Sequence, residues 1–397
     1  MAPLDGIRVV DLTRVVAGPF ATMMLGDMGA EVLKIEEPAH GDDSRGWGPF
    51  INGVGAFYYE LNRNKKSVAL DLKTPAGAGA LRRLIETADV LIENFRPGSL
   101  GELGFDYAAA SALNPRLIYC SIAGYGQTGP HAQLPGYDAV IQGEAGIMEM
   151  TGFRDGAPTR VGVAITDYLA GLYAVQGILL ALHERATSGR GQHVDIALFD
   201  AMLSVMRLPH SVLVATGEDP IRTGNDHLTI VPYEPLRARD GLLIVAVANP
   251  RLWARFCEAI ERPELRDDPR FRTNSDRMAN RDALKRELEL HFARWTVDEL
   301  TMRLERCSVP CGRVRSMREA VEHPQVEPRA MIARQTHPTL GPVRTLGPVI
   351  KLSRTPAEVT LPPPALGEHT AEILERLTAE AREGGQSRQE DGPSSTL

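Results

Sequence analysis

The sequence predicts an α/β fold with a mostly parallel sheet covered by helices, together with a second, smaller α+β domain. Strand-like and helix-like patterns alternate over the first 125 residues, which is typical of βαβ units. The pattern of predicted elements changes near residue 225, where a hairpin pattern precedes several amphipathic helices. The length of 397 residues also exceeds what one hydrophobic core usually supports.

In the first part of the chain, apolar β-branched runs predict the strands and one-sided apolar patterns predict the helices. The predicted strands cover residues 6–12, 31–35, 67–72, 90–93 and 117–123. One helix is predicted at 19–28, where Gly29 ends the pattern. A second is predicted from Pro75 to about residue 87, with Thr74 as its N-cap.

The second part opens with a predicted hairpin, in which Asp240-Gly241 forms the turn between two apolar runs. Helices are predicted at 251–260 and 281–295, and Thr296 with Glu299 forms a capping-box pattern at the start of another. We therefore expect a large domain over 1–224 and a small domain over 225–320. Residues 384–397 are polar and poor in apolar side chains, which predicts a disordered tail.

Composition excludes several classes of function. The formal charge of −7 argues against a general nucleic-acid binder. The four cysteines are too few for a disulfide scaffold, and Cys307 and Cys311 lack metal-pair spacing, so we expect no metal site. No signal peptide pattern is visible, and the longest apolar stretch, 172–182, is too short to span a bilayer. We therefore expect a cytoplasmic protein with no membrane partner.

The first strand, helix and second strand, followed by Glu36, have the order of a dinucleotide-binding unit. The turn after the first strand reads DLTRVVAGP, however, and lacks the GxGxxG pattern. Without those glycines the backbone cannot approach a pyrophosphate in the usual way. The sequence therefore predicts no conventional NAD site.

Asp167 is the strongest candidate for a catalytic carboxylate. An apolar run at 161–165 leads into Asp167, and an amphipathic helical pattern follows it. The aspartate therefore lies where the chain enters a helix, beside unpaired backbone N–H groups. Position alone leaves two interpretations: a helix N-cap, or an ionised carboxylate aimed into a cleft as a nucleophile.

Ordered motifs over residues 3–380 resemble the class III CoA-transferases, the family of formyl-CoA transferase, carnitine CoA-transferase and α-methylacyl-CoA racemase. Besides the Asp167 segment, the motifs that carry the resemblance are PLDGIRVVDLTRVVAGP (3–19), LGDMGAEVLKIE (25–36), GDDSRGWGP (41–49), NRNKKSVALDLKTPAG (62–77), ADVLIENFRPG (88–98), SIAGYGQTGP (121–130), PGYD (135–138), TSGRGQHVD (187–195), VPCGRV (309–314) and LGEHT (366–370).

The resemblance implies a Rossmann-like large domain built from both ends of the chain, so that residues 321–383 return to it after the inserted small domain. It also implies an obligate homodimer whose chains are interlocked. The family's catalytic aspartate falls on Asp167, with Tyr137 and Asp138 beside it. The implied reaction moves CoA between carboxylic acids through an aspartyl-CoA thioester, with no cofactor beyond CoA as a substrate.

The same resemblance places CoA against short stretches near the strand ends. The matching residues are Arg14, Val15, Val16, Ala17, Lys65, Lys66, Lys73, Asn94, Phe95 and Arg96. For each basic residue taken singly, a solvated surface charge explains the residue as well as a phosphate contact does.

Within the family, the motifs resemble most closely the succinyl-CoA:glutarate (hydroxymethylglutarate) CoA-transferases. This implies succinyl-CoA as donor and a dicarboxylate acceptor such as glutarate, malate, citramalate or itaconate. A second carboxylate needs a cation, and Arg45 and His227 are the candidates. A formyl/oxalate pairing is disfavoured because Val16 stands where formyl-CoA transferases have glutamine.

Two alternatives remain. The racemases of the family carry GHD where this chain reads Gly136-Tyr137-Asp138. Tyrosine side chains ordinarily have a pKa near 10, which makes them poor partners for moving an α-proton at neutral pH. A catalytically inert CoA-binding homologue is disfavoured because Asp167 is present.

Overall fold

The computed structural model describes residues 1–338 and 341–390 and contains a six-stranded parallel sheet, which confirms the predicted α/β class. The strands in chain order are β1 (Arg8–Asp11), β2 (Glu31–Glu36), β3 (Phe50–Ile51), β4 (Val54–Gly55), β5 (Lys65–Ala69), β6 (Val90–Glu93), β7 (Ile118–Ala123), β8 (His193–Ala197), β9 (Tyr233–Arg237), β10 (Leu242–Ala246), β11 (Cys311–Arg313), β12 (Ile332–His337) and β13 (Gly341–Leu346).

The helices cover the faces of this sheet and build most of the second part of the chain. They are α1 (Ala17–Asp27), α2 (Ala56–Leu61), α3 (Pro75–Thr87), α4 (Ser99–Glu102), α5 (Tyr107–Leu113), α6 (Asp138–Glu144), α7 (Ile147–Met150), α8 (Ile165–Ser188), α9 (Leu198–Val205), α10 (Arg207–Thr216), α11 (Pro250–Ala259), α12 (Asn274–Ala279), α13 (Arg281–Phe292), α14 (Val297–Arg306), α15 (Met317–Val321) and α16 (Thr370–Glu390).

The large sheet has the strand order β5-β2-β1-β6-β7-β8, so its direction of growth reverses between β1 and β6. Ligands of open parallel sheets bind outside the carboxyl ends of the strands at such a reversal. The loops after β1 and β6 are therefore the expected ligand crevice. Edge strand β8 was not predicted, because polar His193 and Asp195 interrupt its apolar pattern.

Two buried ion pairs lie at the centre of this sheet. The ammonium of Lys65 lies 3.2 Å from Asp11 Oδ2, and that of Lys34 lies 2.9 Å from Asp42 Oδ2, with all four side chains fully buried. Burial alone would raise the pKa of Asp42, but the Lys34 ammonium and hydrogen bonds from Ser44 hold it well below its ordinary value. Lys34 also donates to the carbonyl of Thr13 at 2.8 Å, which ties β2 to the loop after β1.

The contacts divide the chain into two compact units. The first contains Met1–Ala145, Val161–His210 and the chain from Pro324 onward; the second contains Gly146–Arg160 and Ser211–His323. The core of the first unit packs strand residues such as Val10, Leu33 and Leu91 against α3 and α16.

The second unit is built on the antiparallel sheet β11-β10-β9 and the helices that follow it. Its core contains Trp253, Phe256, Phe271 and Phe292. The predicted hairpin is confirmed in β9 and β10, and the predicted capping box is confirmed at Thr296 and Glu299. The predicted small-domain segment, 225–320, falls inside Ser211–His323.

Helix α8 is longer than the apolar stretch read from the sequence. It has 24 residues and is apolar enough to cross a membrane by length and composition alone, so the expectation of too short a span was wrong. One face of α8, including Ala170, Ala174 and Ile178, is buried within the first unit, as in the core helix of a globular protein.

Near the end of the chain, α16 packs on the first unit through Ile373 and Leu377, and Thr370 Oγ1 accepts the Ala69 N–H at 2.9 Å. The backbone is helical to Glu390, so residues 384–390 of the predicted disordered tail lie in a helix. The remainder of that prediction, 391–397, lies outside the described residues.

Asp42→Asn should lower the free energy of unfolding by about 3 kcal/mol, because it leaves the buried Lys34 ammonium with less compensating charge. Asp43→Asn is the matched control, since its half-exposed carboxylate pairs with Arg14 at 3.2 Å and such surface pairs contribute less than about 1 kcal/mol. Urea denaturation followed by circular dichroism measures both variants. Equal losses would contradict the assignment.

Candidate active site

Asp167 lies in the first turn of α8, three residues after the N-cap residue Ala164. The interpretation of Asp167 as an N-cap was therefore wrong. The capping acceptor comes from another helix: Asp138 Oδ1 accepts the Thr166 N–H at 3.0 Å and the Thr166 hydroxyl at 2.8 Å. Since Asp138 satisfies this helix end, the carboxylate of Asp167 is not needed for capping.

The carboxylate of Asp167 has an unusual environment. Burial, and secondarily the charge of nearby Asp138, raises its pKa to about 7. Within residues 1–338 and 341–390, no side chain or backbone N–H is hydrogen-bonded to the Asp167 carboxylate. A desolvated carboxylate without donors is a stronger base and nucleophile than an ordinary aspartate.

Close packing of α8 on α1 fixes the position of this helix end. A Cβ at Gly171, one turn after Asp167, would lie 2.7 Å from the carbonyl oxygen of Ala17. The ring of Tyr168 packs edge-on against Phe20 of α1, with 5.0 Å between ring centroids. The sequence brings α8 close to α1 because Gly171 has no side chain at the point of contact.

The loop that carries Tyr137 and Asp138 is fixed by a contact between two glycines. A Cβ at Gly136 would lie 2.6 Å from the Gly124 Cα in the loop after β7. Tyr137 follows as the N-cap residue of α6, and its side chain is 68% exposed. The structure thus brings Asp138 and Asp167 together at adjacent helix starts, with Tyr137 on the surface beside Asp138.

Among the residues predicted to bind CoA, those at the reversal of strand order lie together. The Asn94 side chain accepts the Arg14 N–H at 2.9 Å and donates to the Arg14 carbonyl at 2.8 Å, so the loops after β1 and β6 are joined. The Arg14 guanidinium lies over the ring of Phe95 at 5.7 Å. Exposed Arg96 donates to the Gln133 carbonyl. This group lies where the strand order predicts a ligand crevice.

Val15 adopts a strained backbone conformation in this crevice, with φ of 72°. Its N–H donates to the Asp42 carboxylate at 3.1 Å, so the buried Lys34–Asp42 pair supports the loop. Val16 and Ala17, by contrast, are buried at the start of α1. A strained backbone conformation of this kind persists only where several surrounding contacts hold it in place.

The three lysines predicted to bind CoA have different surroundings. Lys65 is fully buried, and its ammonium bonds to Asp11, to Asn62 and to the Pro19 carbonyl, so it does not reach the surface. The Lys66 ammonium forms a salt bridge with the Glu372 carboxylate at 2.6 Å. Lys73 is exposed. Sequence reasoning placed Lys65 at the surface because its partner Asp11 is 54 residues away in the chain.

The two candidate acceptor-binding residues have different surroundings, and only Arg45 departs from the expectation. Arg45 is buried and forms a two-point contact with Glu36, with nitrogen–oxygen distances of 2.8 and 2.7 Å. It also donates to the Pro364 carbonyl. Arg45 is therefore a structural ion-pair partner. His227 lies in the second unit, where its Nδ1 accepts the Thr229 N–H.

Two residues of the site were missed by sequence reasoning. Gln142, fully buried in α6, donates to Asp138 at 2.8 Å; its spacing of four residues on a helix was a usable signal. Asp42, which holds the Val15 loop, lies 27 residues from Val15 and gave no local signal. The buried thiols do not compete with Asp167 as nucleophiles, since burial raises the pKa of Cys257 to about 12.

Comparison with known proteins gives a consistent result. A family model described as CoA-transferase family III matches residues 4–370. The chain is 42% identical over 385 residues to succinate–glutarate CoA-transferase of Agrobacterium fabrum, covering 94% of this chain and 96% of that protein. Identity to succinyl-CoA:glutarate CoA-transferase of Mus musculus is 39%, with 95% and 87% covered. A crystal structure of a CaiB/BaiF family protein from Brucella suis has a TM-score of 0.85 at 41% identity, with 95% and 99% covered.

The raised pKa of Asp167 makes stability depend on pH in a defined direction. Between the ordinary value of 3.8 and about 7, the unfolded chain has lost the proton and the folded chain keeps it, so stability falls as pH rises through this window. Asp167→Asn removes this loss. We expect the variant to gain stability over the native protein from about pH 4 to about pH 8, as measured by urea midpoints.

Asp282→Asn is the matched control for this measurement. Asp282 also lies in the first turn of a helix, α13, but its side chain is exposed, so it lacks the desolvation that raises the pKa of Asp167. A stability difference for Asp167→Asn that changes with pH no more than the difference for this control would contradict the electrostatic account of the site.

Proposed function

The chain belongs to CoA-transferase family III and is a CoA-transferase, and from this premise we propose that it carries CoA from succinyl-CoA to a small dicarboxylate, with glutarate as the leading acceptor. The observation that carries the proposal is the 42% identity, over nearly the whole of both chains, to a protein described as a succinate–glutarate CoA-transferase. The isolated, basic carboxylate of Asp167 supplies a group suited to that reaction.

The proposed reaction uses Asp167 as a covalent carrier. An oxygen of its carboxylate attacks the thioester carbon of succinyl-CoA, the C–S bond breaks, and a mixed anhydride and the CoA thiolate result. The thiolate then attacks the aspartyl carbonyl and releases succinate, leaving an aspartyl-CoA thioester. The acceptor carboxylate repeats the two steps in reverse order, which regenerates the Asp167 carboxylate. Each bond broken is an activated acyl bond, so no ATP is needed.

The environment of Asp167 supports this role. A pKa of about 7 leaves a large ionised fraction at neutral pH while keeping the carboxylate more basic than an ordinary aspartate. The start of α8 adds the positive end of the helix dipole, which favours negative charge developing near the attacked carbonyl.

We assign CoA to the crevice at the reversal of strand order. The loops after β1 and β6, joined by Asn94 and the Arg14 backbone, offer Arg14 and Arg96 at the surface for the phosphates. Exposed Lys73 is a further cation for the phosphates. Lys65 and Arg45 take no part in this proposal, because both are buried in internal ion pairs.

We further propose that the protein is a homodimer and that the second unit is the inserted small domain of the family architecture. The outer faces of α8 and α9 expose Leu172, Leu180 and Leu203, with Leu180 62% exposed. Large contiguous apolar patches are rare on the surface of monomeric proteins. A second copy of the chain, in the interlocked arrangement implied by the family, would cover it.

The function is tested by variants of the nucleophile. With succinyl-CoA and glutarate, the native protein should form glutaryl-CoA, and Asp167→Ala should lower the rate at least about a thousandfold, as expected when a covalent nucleophile is removed. Mass spectrometry of the CoA esters measures the product. Hydroxylamine added after succinyl-CoA should modify the peptide that contains Asp167.

Asp282→Ala is the control and should keep native activity, since Asp282 is an exposed first-turn aspartate of α13. Transfer retained within tenfold in Asp167→Ala would remove this residue from the reaction. Incorporation of deuterium at the α-carbon of a 2-methylacyl-CoA in heavy water, without any acceptor, would instead support the racemase alternative.

The homodimer is tested by a charge on its proposed interface. The native protein should sediment at about twice the chain mass of 43.3 kDa, and Leu180→Glu should abolish that species because a buried unpaired charge opposes association. Leu290→Glu, on an exposed leucine of α13, is the control and should leave the dimer intact. A native protein that sediments as a single chain would refute the dimer.

A further inference from the structure

The side chain of Gln142 is fully buried, yet it is fully hydrogen-bonded, and every partner lies next to the start of α8. Its Nε2 donates to Asp138 Oδ2 at 2.8 Å and to the Val163 carbonyl at 3.4 Å. Its Oε1 accepts the Val161 N–H at 2.8 Å. The amide can adopt only this orientation, since the reverse would set two donors against each other and an oxygen against a carboxylate.

These contacts connect α6 to the segment that leads into α8. Asp138 Oδ2 faces Gln142, while Oδ1 accepts both the N–H and the hydroxyl of Thr166. Gln142 also holds Val161 and Val163, the residues through which the chain approaches the helix. The residue that follows Thr166 is Asp167, so one buried amide determines the position of the backbone immediately before the nucleophile.

We propose that Gln142 is a positioning residue for CoA transfer: its amide fixes both the Asp138 carboxylate and the leading loop, and thereby holds Asp167 in the geometry for attack. This inference rests on the proposed role of Asp167 as nucleophile. Because Gln142 is fully buried, we infer that it acts through Asp138 and the loop and not on the substrate itself. A displacement of about 1 Å at a nucleophile can reduce a rate about a hundredfold, so such a residue governs kcat more than binding.

The charge of Asp138 gives this arrangement a second effect, because it contributes to the raised pKa of Asp167. A double substitution, Asp138→Asn with Gln142→Glu, exchanges donor and acceptor between the two positions. The new amide at position 138 then donates to the new carboxylate at position 142, which still accepts the Val161 N–H. The 3.4 Å donation to the Val163 carbonyl is lost, so the recovery is expected to be partial. The amide oxygen at position 138 still accepts from Thr166. The negative charge moves to the side of residue 138 that faces away from Thr166.

The test compares the two single variants with the double variant. Gln142→Glu alone sets two carboxylates against each other, and Asp138→Asn alone sets two amide donors against each other. Each should lower kcat for transfer from succinyl-CoA to glutarate about a hundredfold and change KM for succinyl-CoA less than about threefold, because the CoA crevice is untouched. The double variant should recover at least about tenfold over either single variant. Its acid limb in the pH profile of kcat/KM should move to lower pH.

Gln192→Glu makes the same chemical change at an exposed glutamine and should leave kcat, KM and the pH profile unchanged. A change confined to KM, full activity of Gln142→Glu, or a double variant no better than the singles would overturn the proposal. Recovery of stability in the double variant without a shift of the acid limb would also overturn it, because that pattern indicates a purely structural role.

A measurement without substrate separates this inference from the proposed function. Asp167→Asn is introduced into the native protein, into each single variant and into the double variant. The pH range over which it changes the free energy of unfolding reports the ionisation of Asp167 directly. In the double variant this pH range should move to lower pH. A native protein that forms no glutaryl-CoA would refute the proposed function, whereas an unmoved pH range would refute the role of Gln142.

Discussion

The ion pairs buried at the centre of the parallel sheet are the constraint on which the rest of this structure depends. Lys34 and Lys65 are fully desolvated and can remain ionised only because Asp42 and Asp11 lie within 3.2 Å. The same ammonium of Lys34 also binds the Thr13 carbonyl, and Asp42 binds the Val15 N–H. The charges that connect the central strands therefore also hold the strained loop at the reversal of strand order, where CoA is proposed to bind.

The two ends of the site are built by different physical means. The crevice is organised by charge and by the reciprocal contact of Asn94 with the backbone of Arg14. The position of Asp167, the proposed nucleophile, is set by close backbone approach: Gly171 allows α8 to touch α1, and Gly136 allows its loop to touch Gly124. Asp138 caps α8 from a different helix, so Asp167 is not needed as a cap. Rigid surroundings around a carboxylate to which no described residue donates a hydrogen bond suit the covalent role proposed for it.

Local sequence pattern predicted five of the six strands of the large sheet, the hairpin of β9 and β10, and the capping box at Thr296, because those elements depend on neighbours a few residues apart. Position singled out Asp167, but its role as nucleophile, like the choice of Asn94 and Arg14, came only from the resemblance to a family. Lys65 and Arg45 were misplaced, since a basic residue beside a strand end has the same local pattern whether it is paired internally or solvated. Their partners, Asp11 and Glu36, are 54 and 9 residues away, and only the fold brings them into contact. The capping of α8 by Asp138 spans 28 residues and was hidden for the same reason.

The ionisation of Asp167 near neutral pH couples the chemistry to the proton balance of the solution. A pKa raised to about 7 means that a substantial fraction of the free enzyme molecules carries a proton on this carboxylate near neutral pH. In the proposed reaction, loading converts the carboxylate to a neutral aspartyl-CoA thioester while the succinate that leaves stays ionised, so loading releases this bound fraction of a proton. The heat of loading therefore contains the ionisation enthalpy of the buffer, and the equilibrium between free and CoA-loaded enzyme shifts toward the loaded form as pH rises.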